Sequence, residues 1–239
     1  NAKLWDVEHP NLYTCRVRFG SDEDLQTSAS ARFRGAKRAF CSTASASLCR
    51  ARASTTTRAS SARAAMRRAR SAASACWKEN GYNAVRSAHN PCSKALLDAC
   101  DRLGMLMMDE YIDHWYIHKT EYDYVPYFDK WWKQDIADMV DKDYNHPCVI
   151  LYSTGNEVSE TAQKKGIQLT RELTDYLHSL DNTRPVTCGI NIFFNFLSSI
   201  GFGVYSDEKA KKEARKGGEA ARRGGAAAEE EGRRQQVLQ

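Results

Sequence analysis

Val149-Ile150-Leu151-Tyr152-Ser153-Thr154-Gly155-Asn156-Glu157-Val158 decides how this 239-residue chain is read. A short apolar run with β-branched residues stops at small and polar side chains and finishes on Asn156-Glu157. A parallel strand covered on both faces has this composition, because neither side of its pleat meets water. The carboxylate then falls where the strand runs out into a loop, the end at which barrel enzymes assemble their chemistry. A turn with a solvated glutamate is the plainer alternative for a lone Asn-Glu pair, and the flanking sequence decides between them.

Upstream, Tyr127 to Tyr144 carries Phe128, Trp131, Trp132, Ile136, Met139 and Val140 at helical spacing, and Asn145-His146-Pro147 breaks that helix before the strand. Downstream, Ser159 to Leu180 is a second amphipathic helix, with Ser159 as N-cap and Glu160 in the first turn facing the helix dipole. Arg184 to Gly189 gives a further strand. Further upstream, Met105-Leu106-Met107-Met108 is a strand ending in Asp109-Glu110, its length favouring a buried strand over a flexible methionine surface. Ser93 to Leu103 is a helix closed by Gly104, and Tyr82-Asn83-Ala84-Val85-Arg86 is a strand followed by the loop Ser87-Ala88-His89-Asn90-Pro91. Tyr111 to Tyr127, rich in aromatics, charges and histidine, reads as a functional loop. Strand, loop and helix therefore alternate with crossovers long enough for parallel pairing, an α/β pattern.

The periphery has a different composition. Leu12 to Phe19 alternates like a half-buried antiparallel strand and reads as the last strand of a β-sandwich, giving a first segment at 1–20. Residues 21–76 are rich in Ala, Ser, Arg and Thr, and order is expected to return at Trp77. At face value that stretch is a basic disordered segment of the kind that binds RNA. A misread frame accounts for it better. Read one nucleotide earlier, Ser54-Thr55-Thr56-Thr57-Arg58-Ala59-Ser60-Ser61-Ala62 permits Ile-His-His-Asp-Thr-Gly-Leu-Leu-Gly, and 21–76 becomes a frameshifted linker and barrel start. Residues 77–205 form the barrel portion, and 206–239 a charged low-complexity tail.

The formal charge of +5 is concentrated in the basic stretch and the tail, so it marks no anionic partner for the middle of the chain. Eight scattered cysteines lack metal-ligand spacing and read as free thiols. No apolar run approaches the ~18 residues of a membrane span. The N-terminus carries no charged-then-apolar leader and opens as if in mid-domain, which leaves the compartment open between cytoplasmic and periplasmic or secreted.

Three strand ends offer candidates for one site: Arg86 and His89, then Asp109 and Glu110, then Asn156 and Glu157. Alone, the Arg and Asp read as a buried salt bridge and His89 as a loop hydrogen-bonder. Barrel topology would bring all of them to one face.

Asn83 to Pro91, Asp98 to Asp109-Glu110, Asn145-His146-Pro147-Cys148-Val149-Ile150 and Gly155-Asn156-Glu157 together resemble glycoside hydrolase family 2, which includes β-galactosidases, β-glucuronidases and β-mannosidases. The resemblance runs from Trp77 to about Tyr205, and it implies a partial (β/α)8 TIM barrel preceded by the last strand of an immunoglobulin-like β-sandwich. It implies Glu157 as general acid/base, Asn156 on the sugar 2-hydroxyl, Arg86 and His89 lining the pocket, and Asp109 and Glu110 positioning them or the sugar. The family's His-containing motif, absent as literal residues, would fall where the concealed Ile-His-His-Asp-Thr-Gly lies. Asp113-His114-Trp115 and Tyr122-Asp123-Tyr124 look most like bacterial β-galactosidases, making a β-galactoside the first substrate.

A carbohydrate is thus the expected partner, with no nucleic acid, membrane, cofactor or metal, and a homo-oligomer is compatible with the full-length family. The family's nucleophilic Glu has no match after Tyr205, since Glu229-Glu230-Glu231 sit in the tail. The polypeptide as written is expected to be an incomplete barrel without retaining turnover. The reading from another class is a non-catalytic chain that binds sugar or, through its basic segments, nucleic acid with strong salt dependence.

Overall fold

A computed structural model describes residues 2–31, 33–36, 39–42, 45–47, 51–55, 63–120 and 122–200. Tyr13–Phe19 (β1) and Asp22–Ser28 (β2) form an antiparallel hairpin in which Tyr13 faces Ser28 and Phe19 faces Asp22. Both strands are largely exposed, including Val17, Phe19 and Leu25. The half-burial expected of β1 is not met, because no described element packs on its apolar side, and the chain turns straight back into β2, inside the stretch read as low-complexity. Three short antiparallel strands follow, Phe33–Ala36 (β3), Ala39–Ser42 (β4) and Ser45–Ser47 (β5).

Ala51–Thr55 (β6), Ala84–Ala88 (β7), Leu106–Glu110 (β8), Val149–Ser153 (β9) and Val186–Thr187 (β10) make one sheet in which each strand lies parallel beside its predecessor. Arg63–Glu79 (α1), Lys94–Leu103 (α2), Val125–Asp143 (α3) and Lys164–Leu180 (α4) supply the crossovers, and Ile192–Ser199 (α5) follows β10. An unbroken strand order with a helix at each crossing is the arc of a β/α barrel. Its core packs Leu106, Met107, Val149 and Tyr152 of the strands with Leu96, Leu97, Phe128, Ile136, Met139, Leu173 and Leu177 of the helices. Trp5, fully buried, ties the N-terminal segment to α2 by donating its indole N–H to the Asp101 carbonyl at 2.8 Å.

The helix ends follow local chemistry. Gly104 closes α2 in the left-handed region at φ +65°, and a Cβ there would collide with the Val7 carbonyl. Pro126 sits at the start of α3, where its missing N–H costs nothing. Three expectations need correction. The strand expected over 82–86 is β7, Ala84–Ala88, because Tyr82 N–H is still taken by the Trp77 carbonyl in the turn that closes α1. Order does not wait for Trp77: β2 to β6 lie within 21–76, and α1 runs from Arg63, in a stretch whose Ala and Arg favour helix. Ser159 does not cap a long helix: Ser159–Ala162 is a 3-10 turn, α4 starts at Lys164, and Glu160 is buried. The helix α5 lacked any sequence expectation. The stretch Thr56–Ala62 and the tail 206–239 lie outside the described residues.

Candidate active site

Strand β7 delivers Arg86 and β8 delivers Glu110 to the same end of the sheet. Arg86 grips Glu110 as a fork, Nε to Oε2 at 3.0 Å and Nη2 to Oε1 and Oε2 at 3.0 and 2.8 Å. Glu110 is buried, and it also accepts from the Ser153 hydroxyl at 2.8 Å and the His89 backbone N–H at 2.7 Å. A carboxylate is stable out of water only when its lone pairs are met in this way.

Asp109, one residue earlier, points to the other side of the pleat. It accepts from the Ser87 hydroxyl at 2.5 Å, the Cys92 N–H at 2.8 Å and Lys142 Nζ at 3.0 Å. Burial alone would raise its pKa, but Lys142, Asp143, Ser87 and the Cys92 N–H outweigh burial and hold it below the usual carboxylate range. The expected role of Asp109 in positioning Arg86, His89 or sugar therefore does not fit its place. It anchors the loop after β7 to the end of α3.

Asn156 and Glu157 follow β9 in a turn wedged between Trp115 and Gly189. The Trp115 indole donates to the Thr154 carbonyl at 3.0 Å, and Gly189 N–H donates to the Gly155 carbonyl at 2.7 Å. Side chains at Gly155 or Gly189 would meet Val158 Cγ1 at 2.7 Å or the Gly155 carbonyl oxygen at 2.8 Å. The Asn156 amide is held at both ends, its Oδ1 accepting from Arg86 Nη2 at 2.5 Å and its Nδ2 donating to Asp113 Oδ1 at 2.9 Å. His89 Nδ1 pairs with the same Asp113 oxygen at 2.9 Å. Glu157 is exposed, and its Oε1 accepts from Asn191 Nδ2 at 3.1 Å. The Asn191 Oδ1 caps α5 by accepting from Phe194 N–H, so the amide is fixed with its NH₂ toward Glu157.

Of the three carboxylates gathered here, Glu110 is consumed by Arg86, and Asp113 by His89, Asn156 and Lys119. Glu157 alone stands open to a ligand. Residues 71–222 match the family described as glycosyl hydrolases family 2, TIM barrel domain.

The chain belongs to glycoside hydrolase family 2.

Beta-galactosidase BoGH2A of Bacteroides ovatus is 38% identical over 145 residues, covering 48% of this chain and 17% of that protein. A solved glycosyl hydrolase family 2 member from Bacteroides cellulosilyticus superposes with a TM-score of 0.72 at 34% identity, covering 82% of this chain and 27% of the other. The Parabacteroides merdae beta-glucuronidase gives 0.64 at 26% identity, covering 78% and 24%. The chain thus spans about a sixth to a quarter of these relatives.

Within this family frame the structure brings Arg86, His89, Glu110, Asn156 and Glu157 together and leaves Asp109 behind them. It adds Asp113, Lys119, Ser153 and Asn191, to which the sequence reading assigned no role in the site. Asp113 lay in a loop quoted only for its likeness to β-galactosidases, and Lys119 and Asn191 lay in stretches without periodicity. A cavity of about 560 Å³ opens beside His89, Tyr111, Asp113 and Tyr124, but Arg86, Asn156 and Glu157 do not line it. Among the described residues no group of three or more His, Cys, Asp or Glu side chains is placed to hold a metal ion.

Proposed function

We propose that this chain carries the acid/base side of a retaining β-glycosidase site, with Glu157 as the proton-transferring residue. The observation that carries this reading is the open Glu157 carboxylate beside an Asn156 amide whose orientation Arg86 and Asp113 dictate. In the first step Glu157 gives its proton to the glycosidic oxygen as the bond to the leaving group breaks. In the second it takes a proton from the attacking water. The second N–H of Asn156 Nδ2 is left for the sugar 2-hydroxyl, a contact that strengthens as positive charge develops on the ring. Arg86 and His89 act on the two partners of the Asn156 amide, Arg86 by bonding its oxygen and His89 by bonding Asp113. A retaining mechanism also uses a carboxylate nucleophile about 5–5.5 Å from the acid, and no residue of the described arc is assigned to it. A β-galactoside is the substrate proposed first, supported by the likeness to the Bacteroides ovatus beta-galactosidase. A β-glucuronide is the alternative.

The test is Glu157→Gln in the longest natural polypeptide that carries residues 1–239, assayed on phenyl and 2,4-dinitrophenyl β-galactosides and β-glucuronides. Loss of general acid catalysis is expected to lower kcat/KM by about 10²–10⁴-fold on the phenyl substrate. The dinitrophenyl substrate, whose leaving group needs no proton, should lose far less. Full turnover of phenyl glycosides by the Gln variant would refute the assignment.

A further inference from the structure

Two non-glycine residues among those described have positive φ, His89 at 77° and Glu157 at 47°. A side chain with a Cβ is strained in this region, and such residues persist where the surroundings over-determine them. Both are tied to one pair of side chains. Asp113 Oδ1 takes His89 Nδ1 and Asn156 Nδ2, each at 2.9 Å. Lys119 Nζ donates to the same Asp113 oxygen at 3.1 Å, to the Asp113 carbonyl at 2.5 Å, and to the Asn156 carbonyl at 2.5 Å.

The last contact sets the geometry of the acid. The Asn156 carbonyl belongs to the peptide plane whose nitrogen is that of Glu157. The Glu157 φ angle is the rotation between that plane and the Cα that carries the side chain. Gripping the carbonyl holds the plane, while the Asn156 amide, on the same Asp113, stops the turn from sliding along the strand axis. The clamp is itself anchored. Burial alone would raise the Asp113 pKa, but Asn156, Lys119 and His89 keep it below the usual range, so the Asp113 carboxylate remains charged. Glu160 fixes the intervening loop from the other side by accepting the N–H groups of Trp115, Tyr116 and Ile117, each at 2.9 Å.

We propose that Lys119, braced by Asp113, is a positioning residue that holds the Asn156–Glu157 peptide in the conformation that aims the acid/base at the leaving group. The proposal rests on Glu157 being that acid/base. Lys119 touches no reacting atom and acts through the backbone.

The test compares Lys119→Met, Lys119→Arg, Glu157→Gln and the Lys119→Met/Glu157→Gln double variant in the longest natural polypeptide that carries the chain. A displaced acid hurts only substrates that need protonation. Lys119→Met is therefore expected to lower kcat/KM by about 100-fold on phenyl β-galactoside, the scale of a 1 Å misplacement. On the 2,4-dinitrophenyl substrate the loss should stay within a few-fold. Because Lys119 acts through Glu157, the double variant should be no slower on the phenyl substrate than Glu157→Gln alone. Equal losses on both substrates, or multiplying losses in the double variant, would overturn the proposal. If Lys119→Met does not fold, Lys119→Arg decides. It keeps the charge beside Asp113 but moves the donor, so the same selectivity for poor leaving groups is required in weaker form, and a uniform or absent effect overturns it. A Glu157→Gln variant without that selectivity would sink the acid/base reading instead, so the two failures are distinguishable.

Discussion

Replacing Asp143 by asparagine probes the place where two buried carboxylates share one ammonium. Asp109 and Asp143 both contact Lys142 Nζ, and both carboxylates are fully buried. One positive charge cannot neutralise two negative ones. The Asp143 Oδ2 is buried without a donor, and the Asp109 carboxylate lies within hydrogen-bonding reach of Asp143, an arrangement that holds when Asp143 keeps its proton. Burial and the Asp109 charge, opposed by Lys142, push the Asp143 carboxyl from 3.8 up to about 8. Between those values the folded chain binds more protons here than the unfolded chain, so stability falls as pH rises and levels off above the folded pKa. By pH 7 the loss is about 4 kcal/mol, some three pH units at about 1.4 kcal/mol each. Asp109 is depressed, so its contribution is lost only as pH falls below about 4, outside this window and in both proteins alike. The substituted amide would keep an acceptor for Lys142 and offer Asp109 an N–H without a charge to expel. Urea unfolding followed by tryptophan fluorescence from pH 4 to 8.5 should show equal stabilities at the acid end and a growing advantage for Asp143→Asn toward pH 8. A difference between the two proteins that does not vary with pH would refute the shared-proton account.

Two further predictions concern burial. Glu160→Ala strands the buried Trp115 N–H and the half-buried N–H groups of Tyr116 and Ile117 and should cost about 2 kcal/mol or more, with faster proteolysis between Asp113 and Thr120, whereas Glu160→Gln keeps the accepting oxygen and should cost less; equal proteolysis rates for wild type and Glu160→Ala would count against the anchor. Burial raises the thiols of Cys92, Cys148 and Cys100, the last to about 12, while Cys15 and Cys76 are exposed. Iodoacetamide at pH 8 followed by peptide mass mapping should label Cys15 and Cys76 in the native chain and the other three only after denaturation, and native labelling of Cys100 would contradict the packing.

The parallel strands were legible because β8 and β9 are apolar on both faces and end in acids, a pattern that little besides a covered parallel strand produces. That same two-faced burial hid which of Asp109 and Glu110 meets the site. When both sides of a strand are covered, alternation no longer marks the inward face, and only the partners decide: Arg86 for one acid, Lys142 for the other. Glu160 shows a local rule losing to a tertiary one. An acid beside a helix start reads as a dipole partner, but three loop N–H groups offer more than a solvated dipole does. Lys119 and Asn191 were illegible for a different reason. Their roles depend on where an irregular loop and a short helix fold back, and no periodicity encodes that. Helix α5 exposes Ile192, Phe193 and Phe196, so it lacks the polar face by which a surface helix announces itself.

The orientation of Asn156 follows from charges further inside. Glu110, saturated by Ser153, the His89 N–H and the Arg86 fork, is a fixed anion that holds Arg86 rigid. Held by the fork through Nε and Nη2, Arg86 also presents Nη2 to one end of the Asn156 amide, and only the oxygen can meet it. The opposite end then carries NH₂, and it meets the Asp113 carboxylate. Flipping the amide would set NH₂ against guanidinium and oxygen against carboxylate at once, two repulsions where there were two charge-assisted bonds. Sequence could supply the pair Asn156-Glu157 but not this ordering. The ordering runs outward from a buried anion through Arg86 and Asn156, so the residue beside the open Glu157 offers a sugar hydroxyl an N–H in a direction set before any ligand arrives.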